Sequence, residues 1–279
     1  MDIREVKRIV EGYPTQDGAG VKLIRVLSNN DVRDIDPFLM LDVFGSDDPA
    51  DYIKGFPMHP HRGIETITYL LEGRVDHKDS LGNGGTLLGG NLQWMTAGRG
   101  ILHEEMPKET ETKTNKGLQF WLNLPKAHKM ATPHYFPIAP EMIKDITIEG
   151  GKVKLIAGEF LDQKGVEPLY VKATMMDVSL DPGATYEFPV PSQLNTFIYI
   201  MEGAGFFGSE QTPAQQHSAV IFDHGDTVRV KASEEGIRFV LLAGTPLQEP
   251  IAWGGPIVMN TREELEEAFT QLENGTFIQ

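Results

Sequence analysis

The sequence predicts an all-β chain, two tandem β-barrels followed by one short C-terminal α-helix. Three observations carry that expectation. Glycines and prolines, 29 and 18 of 279 residues, cut the chain into apolar, β-branched or aromatic runs of four to nine residues. Such a series of short runs is the pattern of many short strands. Segments of the first half recur in the second in the same order, and a clear helical period occurs only near the end.

The strands are expected in order at residues 21–27, 38–44, 66–72, 92–96 and 118–124. A proline-rich passage from Pro125 to Pro140 reads as a connector between halves. Strands resume at 153–156, 169–180, 197–201, 219–222, 227–230 and 238–242. In the tail, Thr261 and Glu264 form a capping-box pattern. Leu265, Ala268, Phe269 and Leu272 follow on one helical face, with Gly275 placed to end the helix. A helix this short is expected to pack on its own protein.

The duplication rests on three matches. Residues 67–73 resemble 197–203, 130 residues later. Gln93-Trp94 with Gly98 resembles Ile221-Phe222 with Gly225, about 127 later, and residues 117–120 resemble 236–239, 119 later. A preserved order with a shrinking offset fits two copies with shorter loops in the second. The expected division is 1–135 for the first barrel, 136–250 for the second and 251–279 for a tail and helix packing on the barrels.

Composition excludes several function classes. With 25 basic against 40 acidic residues, the net charge is −15, which opposes binding to nucleic acid or anionic membranes. Cysteine is absent, so no disulfide, thiolate nucleophile or Cys-ligated metal is available. No apolar run approaches the roughly 18 residues of a membrane helix, and the first residues are charged at once. A cytoplasmic, monomeric protein is expected. No Gly-x-Ser-x-Gly elbow is present, against a serine hydrolase. Glycines 82, 84, 85, 89 and 90 lack phosphate-loop spacing and read as hairpin turns.

Two short stretches concentrate the chemistry, His59-Pro60-His61 and His103-Glu104-Glu105. On a strand, residues two apart face the same side, so each pair can converge on one point. Parity therefore favours Glu105 over Glu104 as the carboxylate partner. Three imidazoles and one carboxylate suit a borderline divalent metal with open positions. Glu65 shares the parity of His59 and His61 only if the strand runs unbroken through Arg62-Gly63, so it is either a partner of a ligand or structural. His77 lies among charged residues and is expected to be exposed; His128, His134, His217 and His224 flank turns and read as structural. Asp47, Asp48 and Asp51 read as a solvated loop. At offset 130, His59 and His61 fall on Pro189 and Pro191, so the second copy lacks the constellation.

The stretches 59–73 and 92–107, with Trp253-Gly254-Gly255-Pro256-Ile257 in the tail, resemble the pirin family over essentially the whole chain. The resemblance implies a bicupin, two tandem cupin barrels with metal in the N-terminal one only. It implies His59, His61, His103 and Glu105 as metal ligands, with Fe²⁺ as the metal and Mn, Ni, Co, Cu or Zn as alternatives. The implied reaction is quercetin 2,3-dioxygenation, in which O₂ cleaves a flavonol and carbon monoxide leaves, with Glu105 as catalytic base. Phe56, Met58, Trp94 and Phe120 are expected to wall the substrate site. The alternative role is an iron-based redox-sensing regulator that binds a transcription factor or a metabolic enzyme.

Overall fold

The computed structural model describes residues 1–278. In chain order the strands begin with β1 (Val6–Glu11), β2 (Tyr13–Asp17), β3 (Val21–Leu27), β4 (Phe38–Ser46), β5 (Phe56–His61) and β6 (Ile64–Glu72). They continue as β7 (Arg74–Asp79), β8 (Gly84–Leu88), β9 (Leu92–Thr96), β10 (Ile101–Lys108), β11 (Asn115–Asn123) and β12 (His134–Ile138). Next come β13 (Lys144–Ile148), β14 (Gly151–Ala157), β15 (Glu159–Phe160), β16 (Gln163–Lys164), β17 (Ala173–Leu180) and β18 (Thr185–Pro189). The last are β19 (Asn195–Phe207), β20 (Thr212–Gln215), β21 (Ser218–Phe222), β22 (Thr227–Gly244), β23 (Ala252–Gly254) and β24 (Ile257–Met259). Helices are α1 (Val32–Ile35) and α2 (Arg262–Glu273).

Contacts divide the chain into two units. One comprises Tyr13–Asn29, Phe38–Pro140 and Leu247–Gln279; the other comprises Met1–Gly12, Asn30–Pro37 and Glu141–Pro246. This grouping departs from cuts at 135 and 250, because β1 groups with the later residues and the tail with the earlier ones. The reason is sheet completion. β1 pairs with β21 at an edge of its sheet, and β12 takes the matching place on β9 in the other unit. An uncovered edge would leave unpaired N–H and C=O groups. The passage 125–140 is accordingly more than a connector, since it supplies β12, whose Pro137 is tolerated on an edge strand.

The first barrel is built from a seven-stranded sheet, β12-β9-β6-β11-β4-β3-β2, and a four-stranded one, β5-β10-β7-β8. The second has a single sheet, β1-β21-β19-β22-β17-β14-β13, with β18 on β22 and β20 on β19. The repeat is exact in topology: β6 lies between β9 and β11 as β19 lies between β21 and β22. Registers shift two of the matches, the first by one residue: the counterpart of Trp94 is Ile221, not Phe222. Ile67 opposes Trp94 and Phe120, while Phe197 opposes Ile221 and Leu242. The counterpart of Phe120 is thus Leu242, 122 residues on, not Phe239. Bulges between Ile200 and Glu202 and between Gly203 and Gly205 shift the ladder, so likeness of residue type misaligned this strand.

The second barrel is packed with aliphatic and aromatic side chains, among them Val178, Phe188, Ile198, Val220, Phe239 and Leu241. Residues 169–172, expected in a strand, lie outside it; β17 starts at Ala173. In the tail, Thr261 Oγ1 accepts from the Glu264 amide at 3.2 Å and Glu264 Oε2 accepts from the Thr261 amide at 3.1 Å, completing the capping box. Ala268 is buried with Ile257, Met259 and Phe277, whereas Phe269 is 38% exposed.

Candidate metal centre

Strands β5 and β10 pair with His59 opposite His103 and His61 opposite Ile101. Side-chain alternation turns His59, His61 and His103 to one side, as the sequence spacing requires. Their candidate ligand atoms all lie within 4.8 Å of one another. Ring centroids are 4.8 Å apart for His59 and His61, 4.4 Å for His59 and His103, and 5.1 Å for His61 and His103. His61 and His103 are buried and His59 is half-buried.

The nitrogens of this group fit a cation. His59 Nδ1 donates to Pro57 O at 2.9 Å and His61 Nδ1 to Pro256 O at 3.2 Å. A carbonyl only accepts, so both rings carry their proton on Nδ1. The two Nε2 lone pairs then face each other at 3.1 Å. His103, 1% exposed, has no partner for either nitrogen. Three converging lone pairs without a donor, two of them on buried rings, are the arrangement a divalent transition metal resolves. Burial, reinforced by His59, pushes the His61 imidazole down to about 3, and burial holds His103 well below the usual imidazole range. Both rings are therefore neutral, the form that ligates.

Glu105 keeps the parity of His103 on β10, opposite His77 of β7. Its carboxylate is outside the compact group of three histidines. It turns instead to Thr68, whose Oγ1 lies 3.2 Å from Glu105 Oε1 and 2.7 Å from Gln119 Oε1. Burial raises its proton affinity and the nearby His59 opposes this. Glu65 goes elsewhere. The strand breaks at Gly63, whose φ is +76°, and β6 enters the other sheet. Fully buried, Glu65 accepts from Trp94 Nε1 at 3.0 Å and Thr96 Oγ1 at 2.7 Å, tying β6 to β9. Its role is structural. His77 is not exposed as expected. Its Nε2 meets Gln93 Nε2 at 2.8 Å and its ring stacks on Tyr135. The flanking charges misled, because alternation turns His77 inward while Asp76 and Lys78 point away.

His59 and His61 open on a cavity of about 850 Å³ lined by Phe44, Phe56, Trp121 and Trp253, with Thr68, Glu105 and Gln119. Of the expected wall residues only Phe56 lines it. Met58 is 43% exposed, and Trp94 and Phe120 are core. Trp121 shares the parity of Gln119, one residue beyond Phe120, and packs edge-on to His61 at 5.0 Å. Trp253 stands 6.1 Å from Trp121.

The tail fixes this wall. Arg62, fully buried, donates to Gln271 Oε1 at 2.8 Å and Phe277 O at 3.0 Å, and its guanidinium lies 4.1 Å above the Phe277 ring. Lys129 Nζ donates to Gly63 O at 2.7 Å, Asn123 Oδ1 at 2.5 Å and Val258 O at 2.8 Å. A Cβ at Gly63 would stand 2.0 Å from Val258 O, so only glycine permits this approach. No sequence pattern announced that Pro256 and Trp253 join a site built around residue 61.

Comparison with known proteins agrees with the fold. The Pirin family model matches residues 20–122 and the model of the pirin C-terminal cupin domain matches 175–278. A pirin-like protein of Caulobacter vibrioides is 43% identical over 281 residues, covering 99% of this chain and all of that one. Human pirin is 39% identical over 262 residues, covering 92% of this chain and 88% of its own. The crystal structure of a quercetin 2,3-dioxygenase from Acinetobacter baumannii superposes with a TM-score of 0.92 at 33% identity, covering 99% and 98% of the two chains. The doubled barrel, the histidines confined to one copy and these likenesses converge: the chain belongs to the pirin family and is a bicupin.

Proposed function

We propose that this protein is a metal-dependent dioxygenase of the quercetin 2,3-dioxygenase type, using Fe²⁺ held by His59, His61, His103 and Glu105. The supporting observation is the convergence of three imidazoles, with His61 and His103 neutral and His103 without a partner at either nitrogen, beside an aromatic-lined cavity that His59 and His61 face. The related Acinetobacter dioxygenase lends the substrate class. Iron(II), when bound, supplies a Lewis acid for an enolic oxygen and an organising point for O₂. The overall change is flavonol plus O₂ to a depside ester plus carbon monoxide.

The protein side chains do the rest. His59 and His61 are held rigid through Nδ1 by Pro57 and Pro256 carbonyls. Trp121 and Trp253 offer flat apolar surface to an aromatic substrate and keep water from it. Glu105, with proton affinity raised by burial, takes the proton of the substrate 3-hydroxyl at a carboxylate oxygen.

Anaerobic reconstitution with iron(II), followed by quercetin and O₂, tests the reading through carbon monoxide release and loss of flavonol absorbance. Turnover is expected. Absence of turnover with iron, manganese, nickel, cobalt and copper alike would sink it. His103→Ala should abolish metal binding and turnover. Glu105→Gln should retain metal and lose about a hundredfold or more in rate; normal turnover would remove Glu105 from its role as base.

A further inference from the structure

The hydroxyl of Thr68 has one proton and two acceptors within reach, Gln119 Oε1 at 2.7 Å and Glu105 Oε1 at 3.2 Å. Both acceptors face the same cavity. Thr68 is buried and opposes Gln119 across the β6–β11 ladder, so neither backbone can move aside. The Gln119 amide, however, has two orientations. With Oε1 on Thr68, the hydroxyl proton goes to the amide, at the shorter distance, and Glu105 keeps only the longer, weaker share. Turned over, Nε2 donates to Thr68 Oγ1, and the hydroxyl proton is then committed to Glu105.

We propose that Thr68 and Gln119 are positioning residues that set whether Glu105 is free to join the three histidines. When the amide accepts from Thr68, the carboxylate is released and can swing to the metal. When the amide donates, Thr68 holds the carboxylate on the β6 side, outside the histidine group. In this structure the amide accepts from Thr68, and Glu105 rests outside the histidine group on the longer, 3.2 Å contact alone. Gln119 Nε2 faces the cavity without a protein partner in the first orientation, so a substrate oxygen accepting from it selects the arrangement that frees Glu105. The inference rests on the metal reading of His59, His61 and His103.

Cobalt(II) titration of the apoprotein tests it without turnover, following affinity and the intensity of the visible d–d bands, which falls as coordination number rises. Thr68→Val frees Glu105 and should tighten cobalt binding about tenfold and weaken the bands. Gln119→Leu leaves Thr68 only Glu105 to bond and should loosen binding by about as much and strengthen the bands, the scale being that of residues supporting metal ligands. Thr68→Ser keeps the hydroxyl and should restore wild-type behaviour. In a Glu105→Gln background both effects should vanish. Shifts in the same direction for Thr68→Val and Gln119→Leu, no shift in either, or a Thr68→Val effect that survives Glu105→Gln would overturn the switch. Absence of cobalt binding by both wild type and Glu105→Gln would instead overturn the metal reading beneath it.

Discussion

One row of residues separates the two barrels. In the first, Thr68 of β6 stands between Gln93 of β9 and Gln119 of β11. At the same ladder positions in the second, Ile198 of β19 stands between Val220 of β21 and Leu241 of β22, all buried in the core. The scaffold is common; the filling differs. Burying three aliphatic side chains stabilises by roughly 1.5–3 kcal/mol each, and the first barrel forgoes that to line its interior with hydrogen-bonding groups around the histidines. The second barrel also lacks the histidine trio: β18 and β22, paired as β5 and β10 are, bury Phe188, Val228 and Val230. One copy stores stability and the other holds chemistry.

That contrast can be broken at its strongest point first. Phe239→Ala, in the packed barrel, should cost about 3–5 kcal/mol in chemical denaturation while leaving metal stoichiometry at one per chain. A loss of metal from the folded variant would show that the division of labour is false. The reverse contrast is in pH. In the metal-free protein the unfolded chain binds a proton at His61 that the native state, with its imidazole at about 3 against an ordinary 6.5, refuses. The unfolded state thus binds more protons below pH 6.5, and native stability falls as pH drops. Denaturation at pH 6.5 and pH 4 should differ by on the order of 3 kcal/mol from this group; a flat profile would refute the burial argument. The smallest effect sharpens the distinction between structural and chemical carboxylates. Glu65→Gln should cost about 1–2 kcal/mol, because one of the two donors on it, Trp94 or Thr96, loses its acceptor. Metal affinity should not change, and a matching loss of affinity would return Glu65 to the site.

Sequence reasoning reached what local pattern encodes. Alternation brought His59, His61 and His103 to one side, the Thr261–Glu264 spacing gave the cap, and repeated strand–turn units gave the duplication. It failed where tertiary geometry decides. The corner at Gly63 diverted Glu65, bulges displaced the counterpart of Phe120, and one step of parity separated core Phe120 from cavity-facing Trp121. Pairings between distant residues were beyond reach altogether, since the bond from His61 to Pro256 O spans 195 residues. Edge completion had no local signal either: nothing in residues 6–11 distinguishes a strand for the later unit from one for the earlier.

The lock that the tail places on His61 has a consequence in time. A ribosome delivers His59, His61 and His103 long before Pro256, Val258 and Gln271. Until those arrive, the His61 ring has no carbonyl to fix its tautomer, Arg62 no acceptors in the helix, and Lys129 only two of its three oxygens. The surroundings of His61 and Arg62 are therefore completed only when residues 195 and 215 positions later have been made.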